Sequence, residues 1–230
     1  MTRVVSMLAL AAILAAPAGA VTFSFASDDN HDGPTFQGNS GGSMPDDLSE
    51  GSALSVDSLV NVDLMVDVND DKVGGVVIYQ AVMTFGGSID NITSVARGAG
   101  WVHTWDVSDG AIDFTQLGTG TPILSIVFDS AILTTYSPTI FNTGETLTLQ
   151  TSADVDSAIA FITYPILQGI GVGPLQVSAS EDFAFTFTHA RKPAGGLPVI
   201  HHGVFLGDWI SEGSFSAHAA KGEVSEVPVE

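Results

Sequence analysis

Apolar and polar residues alternate along two neighbouring stretches of the chain, residues 60–68 and 76–85. In the first stretch, every second position is aliphatic: Val60, Val62, Leu64, Val66 and Val68. The second stretch resumes the alternation with Val77, Tyr79, Ala81, Met83 and Phe85. A period of two is typical of a strand that buries one face. The pair therefore predicts a β-hairpin whose connection, residues 69–75, is acidic and rich in glycine.

Shorter apolar runs follow at intervals of roughly 8 to 12 residues, with Gly- and Pro-containing turns between them. They cover residues 21–26, 89–96, 101–107, 111–116, 123–128, 146–151, 158–163, 175–178, 181–189, 204–206 and 214–219. No window has a sustained helical period. The pattern predicts an all-β fold, with a single domain built as an antiparallel β-sandwich or jelly roll.

The N-terminal residues have the form of a secretory signal peptide. Arg3 precedes an apolar run over residues 4–16, and the small residues Ala18 and Ala20 fit a cleavage site after Ala20. We therefore expect a β-domain over residues 21–220 that contains a long polar loop, residues 27–55. An acidic, disordered tail is expected over residues 221–230. With no second apolar segment, no membrane span is expected in the mature chain, and the protein is expected to be secreted or held in the cell envelope.

The chain is strongly acidic, with 26 Asp and Glu residues against 6 Lys and Arg residues and a formal net charge of −20. Binding to phosphate backbones depends on clustered basic side chains, so nucleic acid is excluded as an expected partner. The chain has no cysteine, which excludes thiol catalysis and Cys-ligated zinc. The excess of acidic over basic residues favours either a solvated acidic surface or the binding of divalent cations.

Two acidic segments repeat a spacing that suits calcium. Their candidate ligands are Asp28, Asn30 and Asp32 in the first segment and Asp67, Asn69 and Asp71 in the second. Calcium prefers six to eight oxygen ligands, and carboxylates at alternate positions of a tight loop can converge on one ion. Neither segment is an EF-hand, because the twelfth positions are Asn39 and Ile78 rather than Glu. The same residue types also form ordinary turns.

Trp101, His103 and Trp105 share one face of a predicted strand. If that face is exposed, the two indoles form a stacking platform for sugar rings; the alternative is that they belong to the core. Gly38 to Gly42 matches the G-x-S-x-G pattern around Ser40, but it lacks the flanking strand and helix of a hydrolase elbow, so no enzymatic activity is expected.

Several segments resemble exported β-rich proteins of environmental bacteria that carry a PEP-CTERM sorting tail. The resemblance lies in the export signal and in residues 23–28, 32–36, 66–70, 181–186 and 209–219. It implies an envelope or extracellular location and no assigned activity. The C-terminal Val227-Pro228-Val229-Glu230 stands where that family has Pro-Glu-Pro, an apolar span and a basic cluster.

A second resemblance is to cohesin-type sandwiches, through residues 62–67, 76–85, 90–95, 101 and 124–128, and it implies a docking module.

These observations lead to one expected function and two alternatives. The expected function is that of a secreted, non-enzymatic β-sandwich in the cell surface or extracellular matrix, stabilised by calcium. The alternatives are a carbohydrate-binding module that uses Trp101 and Trp105, and a cohesin-like docking module. The expected partner is accordingly a polysaccharide or another surface protein.

Overall fold

A computed structural model describes residues 20–26, 36–39, 52–69, 75–151, 159–173, 175, 182–201 and 205–220. In these ranges the chain forms twelve strands and a single helical turn, α1 (Pro165–Gln168). The strands are β1 (Ala20–Ala26), β2 (Phe36–Asn39), β3 (Ser52–Asp67), β4 (Val76–Arg97), β5 (Gly100–Gln116), β6 (Pro122–Ser137), β7 (Leu147–Thr151), β8 (Ile159–Thr163), β9 (Asp182–Arg191), β10 (Ile200–His201), β11 (Phe205–Leu206) and β12 (Trp209–Ala220).

Ten of the strands form one antiparallel sheet that closes on itself. From β3 the ladders run through β4, β5, β6 and β7 to β9, then through β12 to β1, which pairs again with β3. The remaining two strands, β10 and β11, form a small separate ladder. The predicted all-β class is thus confirmed.

Two positions in this sheet are each filled by two strands placed end to end. β1 and β2 both pair with β12, through Phe25 opposite Phe215 and Phe36 opposite Ser211. β7 and β8 both pair with β6 in the same way. β2 and the start of β3 fall within the stretch expected to be one long loop. A strand with a single buried aromatic, Phe36, leaves no alternation to detect in the sequence.

Several strands are longer than their sequence patterns predicted. Residues 76–85 and 89–96 belong to one strand, β4, and residues 101–107 and 111–116 belong to β5. Register shifts between Gly86 and Ser88 and between Ile89 and Asn91 interrupt β4, and Asp109 of β5 has a φ of 48°. Irregularities of this kind reverse the inside–outside alternation, so one strand resembles two in the sequence.

Aromatic side chains join the two sides of the closed sheet. Phe25 of β1 lies 6.1 Å from Phe114 of β5, and Phe128 of β6 lies 5.0 Å from Phe183 of β9, measured between ring centroids. β9, β12, β1, β2 and β3 therefore form one wall of a sandwich, and β4 to β8 form the other. The core is continuous through both walls.

The alternation that predicted the central hairpin is present in the structure. Val62, Leu64 and Val66 of β3 are buried, whereas Asp63 and Met65 between them are exposed. β3 pairs with β4 from Ser52 to Asp67, as a hairpin requires. Within the described ranges, no helix has the length and apolar character needed to cross a membrane.

Candidate functional site

A short segment after β6, residues 143–146, is held tightly against the sheet. The buried Thr135 hydroxyl donates to the Thr146 carbonyl at 2.6 Å and accepts from the Gly144 N–H at 3.0 Å. Any side chain at Gly144 would collide with the sheet, because a Cβ there would lie 2.0 Å from the Tyr136 carbonyl oxygen. The Ala190 N–H donates to the Glu145 carbonyl at 2.8 Å, which fixes the same segment to β9.

This segment borders an open cleft on the outer face of β5, β6 and β7, which we call the Tyr136 cleft. Its volume is about 430 Å³. Its lining residues are Val102, Thr134, Thr135, Tyr136, Glu145, Thr146 and Thr148. The Tyr136 ring lies across the backbone of Gly100, where a Cβ would come within 2.5 Å of the phenol oxygen. With 55% of its surface exposed, Tyr136 presents an aromatic ring to solvent.

A second open cleft of about 350 Å³ adjoins the first, and Glu145 lines both. We call it the Arg191 cleft, and its other lining residues are His189, Ala190, Arg191, Gly196 and Leu197. His189 has a φ of 52°, and its Nδ1 lies 3.3 Å from a Glu212 carboxylate oxygen. The two clefts together form a groove that changes from aromatic and hydroxyl groups at one end to charged groups at the other.

The groove presents an aromatic ring, hydroxyl groups and charges of both signs to solvent. An exposed aromatic ring stacks on apolar faces, and threonine hydroxyls both donate and accept hydrogen bonds. Glu145 and Arg191 add one charge of each sign. Sugars, which have apolar ring faces and hydroxyl edges, match this combination.

A buried histidine supports the sheet beneath the Tyr136 cleft. His103 is fully buried, and its Nε2 donates to the Thr139 carbonyl at 3.1 Å. In the neutral ring Nδ1 is then the acceptor, and the Ser94 hydroxyl lies 2.8 Å from it. Burial lowers the pKa of His103, and the hydrogen bond to Thr139 opposes this shift in part. The imidazole thus ties β4 and β5 to the turn that follows β6.

Of the two alternatives left open for Trp101 and Trp105, the structure places Trp105 in the core, so the two indoles are not exposed together. Trp105 is fully buried and packs 6.1 Å from the His103 ring, while Trp101 is half-buried. Their face of β5 points into the molecule, where it covers the core. The exposed aromatic ring of this region belongs instead to Tyr136, on the opposite face of the sheet.

The candidate calcium ligands are only partly described. Asp28, Asn30, Asp32 and Asp71 lie outside the described residues. Asp67 ends β3 and is buried, and its Oδ1 accepts a hydrogen bond from the Asn69 N–H at 3.2 Å. No group of three or more acidic or histidine side chains suited to a metal occurs in the described ranges. Calcium therefore stays a prediction at both segments.

The sequence analysis did not identify the residues of the groove. Tyr136, Glu145 and Arg191 come from three separate parts of the chain, and none of them belongs to a motif. The one available signal was Tyr136, which lies on the polar side of the alternation in β6. A single aromatic residue on the solvent side of a strand is common, so this signal alone did not identify a binding surface.

No protein-family model, curated protein or solved structure matches this chain.

Proposed function

We propose that the protein is an exported, non-enzymatic β-sandwich of the cell surface or extracellular matrix that binds polysaccharide in the Tyr136 cleft. The observation that carries the proposal is the cleft itself. An aromatic ring, two half-buried threonines of the sheet and a carboxylate line one open depression. Export rests on the signal-peptide pattern of the sequence, and cleavage leaves the domain free to act outside the cell.

The open shape of the site supports binding rather than turnover. Both clefts are open depressions on the surface, and a long chain can lie in them without being enclosed. Hydrolysis of glycosides uses two carboxyl groups on either side of the bond, and Glu145 is the one carboxylate that lines the two described clefts. The groove therefore suits a module that holds a polymer in place.

The proposal is tested by measuring binding to a panel of soluble polysaccharides with the wild-type domain and with Tyr136→Ala. We expect at least one polysaccharide to bind and the substitution to weaken that binding by about tenfold, the loss of one aromatic stacking contact. Phe141→Ala is the matched control, because Phe141 is 70% exposed and lies outside both clefts. Absence of binding across the panel, or equal binding by Tyr136→Ala, would refute the proposal.

We also propose that calcium stiffens the domain at the two acidic segments. At the second segment the support is the spacing in the sequence, which puts the oxygen-bearing side chains of Asp67, Asn69 and Asp71 at alternate positions. The role assigned to calcium is stability and not ligand binding, because Asp67 does not line either cleft.

A further inference from the structure

The outer face of the sheet carries a continuous row of threonines across five strands. Each pair is directly opposite in the ladders: Thr93 of β4 with Thr104 of β5, Thr104 with Thr134 of β6, Thr134 with Thr148 of β7, and Thr148 with Thr186 of β9. We call these five residues the threonine row. Their neighbours in sequence on β5, β6, β7 and β9 are buried, so the threonines point outward.

The hydroxyls of the row are available to a ligand. Threonine is common in strands, and opposite threonines often bond to each other, which would be a sufficient reason for the pattern. In the described part of the chain, however, none of the five hydroxyls has a hydrogen bond to another protein group. Thr93 is exposed and the other four are half-buried. A row of accessible hydroxyls without protein partners is a surface suited to polar recognition.

The spacing of the row indicates a repeating ligand. Adjacent strands lie about 4.8 Å apart, so the five hydroxyls cover about 19 Å along a line across the strands. That step is close to the advance of one sugar unit in an extended chain. Thr134 and Thr148, in the middle of the row, also line the Tyr136 cleft. The row therefore extends the cleft on both sides.

Charge and shape restrict the ligand further. The row is uncharged in a chain with a net charge of −20, which repels polyanions and leaves neutral chains unaffected. The sheet closes on itself through β1 and β3, so a row that runs across its strands curves around the molecule. A flexible soluble chain can follow that curve, whereas the flat face of a crystalline polymer cannot.

We propose that a neutral, linear polysaccharide lies along the threonine row, across the strands, with successive sugar units hydrogen-bonded to successive threonines. The inference rests on the proposed function, since it assigns the ligand class and its path at the same cleft. It adds a requirement that the cleft alone does not make, namely that Thr93 and Thr186, at the two ends of the row, both contribute to binding.

The test compares a disaccharide with a hexasaccharide from neutral linear series, such as cello-, xylo- and laminari-oligosaccharides, by titration calorimetry. The end variant is Thr93→Val with Thr186→Val, and the central variant is Thr134→Val with Thr148→Val. Valine keeps the branched shape and replaces the hydroxyl by a methyl group, which can neither donate nor accept a hydrogen bond. Thr84→Val with Thr115→Val is the control, because these outward-facing threonines of β4 and β5 lie outside the row. Circular dichroism and thermal melting verify the fold of each variant.

We expect the hexasaccharide to bind more tightly than the disaccharide and the end variant to weaken hexasaccharide binding about tenfold, for two lost hydrogen bonds. The end variant should leave disaccharide binding unchanged, and the control should leave both unchanged. If the end variant bound the hexasaccharide with wild-type affinity, binding along the threonine row would be refuted. Tighter binding of an alginate hexasaccharide than of the neutral hexasaccharides would refute it as well. If Tyr136→Ala still weakens binding about tenfold in that case, the proposed function stands. Failure of every oligosaccharide to bind would overturn both proposals.

Discussion

His103 is a polar residue in the core whose two ring nitrogens both have partners. Its neutral form is favoured because the ring is fully buried, and burial lowers its pKa below the ordinary value of 6.5. Protonation of this buried imidazole destabilises the fold because the charge lies away from water, although the hydrogen bonds to Ser94 and to the Thr139 carbonyl can both be kept. The stability of the domain should therefore depend on pH through the protonation of His103.

Below pH 6.5 the unfolded chain takes up a proton at His103 that the folded chain does not. The free energy of unfolding should consequently fall as the pH drops from 6.5 towards the lowered pKa of the folded state. Urea unfolding at pH 7.5 and pH 5.5 measures the change, and His103→Gln serves as the comparison. We expect the loss of stability to be larger in the wild type than in the variant. Equal losses of stability in both proteins would show that His103 does not cause the pH dependence.

At the scale of the element, β3 illustrates how a strand ends. The alternation of the strand ends at Val66, because the next residue, Asp67, is also buried, and its carboxylate accepts the N–H of Asn69 where the strand ends. The same carboxylate is a candidate calcium ligand, so the end of β3 and the predicted metal site share one side chain. A bound ion would add stability at this strand end.

We expect calcium to raise the melting temperature relative to chelator, by about 5 °C at concentrations far above the dissociation constant. Magnesium at equal ionic strength is the control for general screening of the acidic surface. Asp67→Asn keeps an oxygen that can close the turn but removes the charge, and it should reduce the calcium effect. A melting temperature that is the same in calcium and in chelator would show that calcium does not stabilise the domain.

At the scale of the molecule, the fold depends on contacts between the two walls of the closed sheet. Among the described residues, Phe25 has four aromatic neighbours, Phe36, Phe114, Phe185 and Phe215, at centroid distances of 5.6 to 6.2 Å. They belong to both walls, so Phe25 lies where the walls meet. The chain has no cysteine, so no disulfide holds the walls together. The packing of the core side chains joins them instead.

Phe25→Ala should lower the free energy of unfolding by about 3 to 5 kcal/mol, because it leaves a cavity among the aromatic rings. Phe141→Ala, at an exposed phenylalanine, should change it by less than about 0.5 kcal/mol. Denaturant unfolding measures both. Phe25→Leu, with a smaller expected loss, keeps the comparison possible if the alanine variant does not fold. A similar loss in Phe25→Ala and Phe141→Ala would show that the core does not lie at Phe25.

Part of this structure could be predicted from local sequence, and part could not. The alternation from Val60 to Phe85 gave the hairpin correctly, since each strand position determines which face its side chain takes. The bulges in β4 hid the continuity of that strand, because they shift the alternation by one residue. Trp105 could not be placed by its spacing alone, because alternation separates two faces without saying which one is buried.

By itself, the sequence determined the all-β class and the division of each strand into two faces, because those depend on neighbouring residues. The tertiary structure alone decided which strands are adjacent and in which register, through pairings between residues far apart in the chain. Thr93 and Thr186 share one row for that reason, although 93 positions separate them. The Tyr136 cleft and the threonine row both arise from this long-range register.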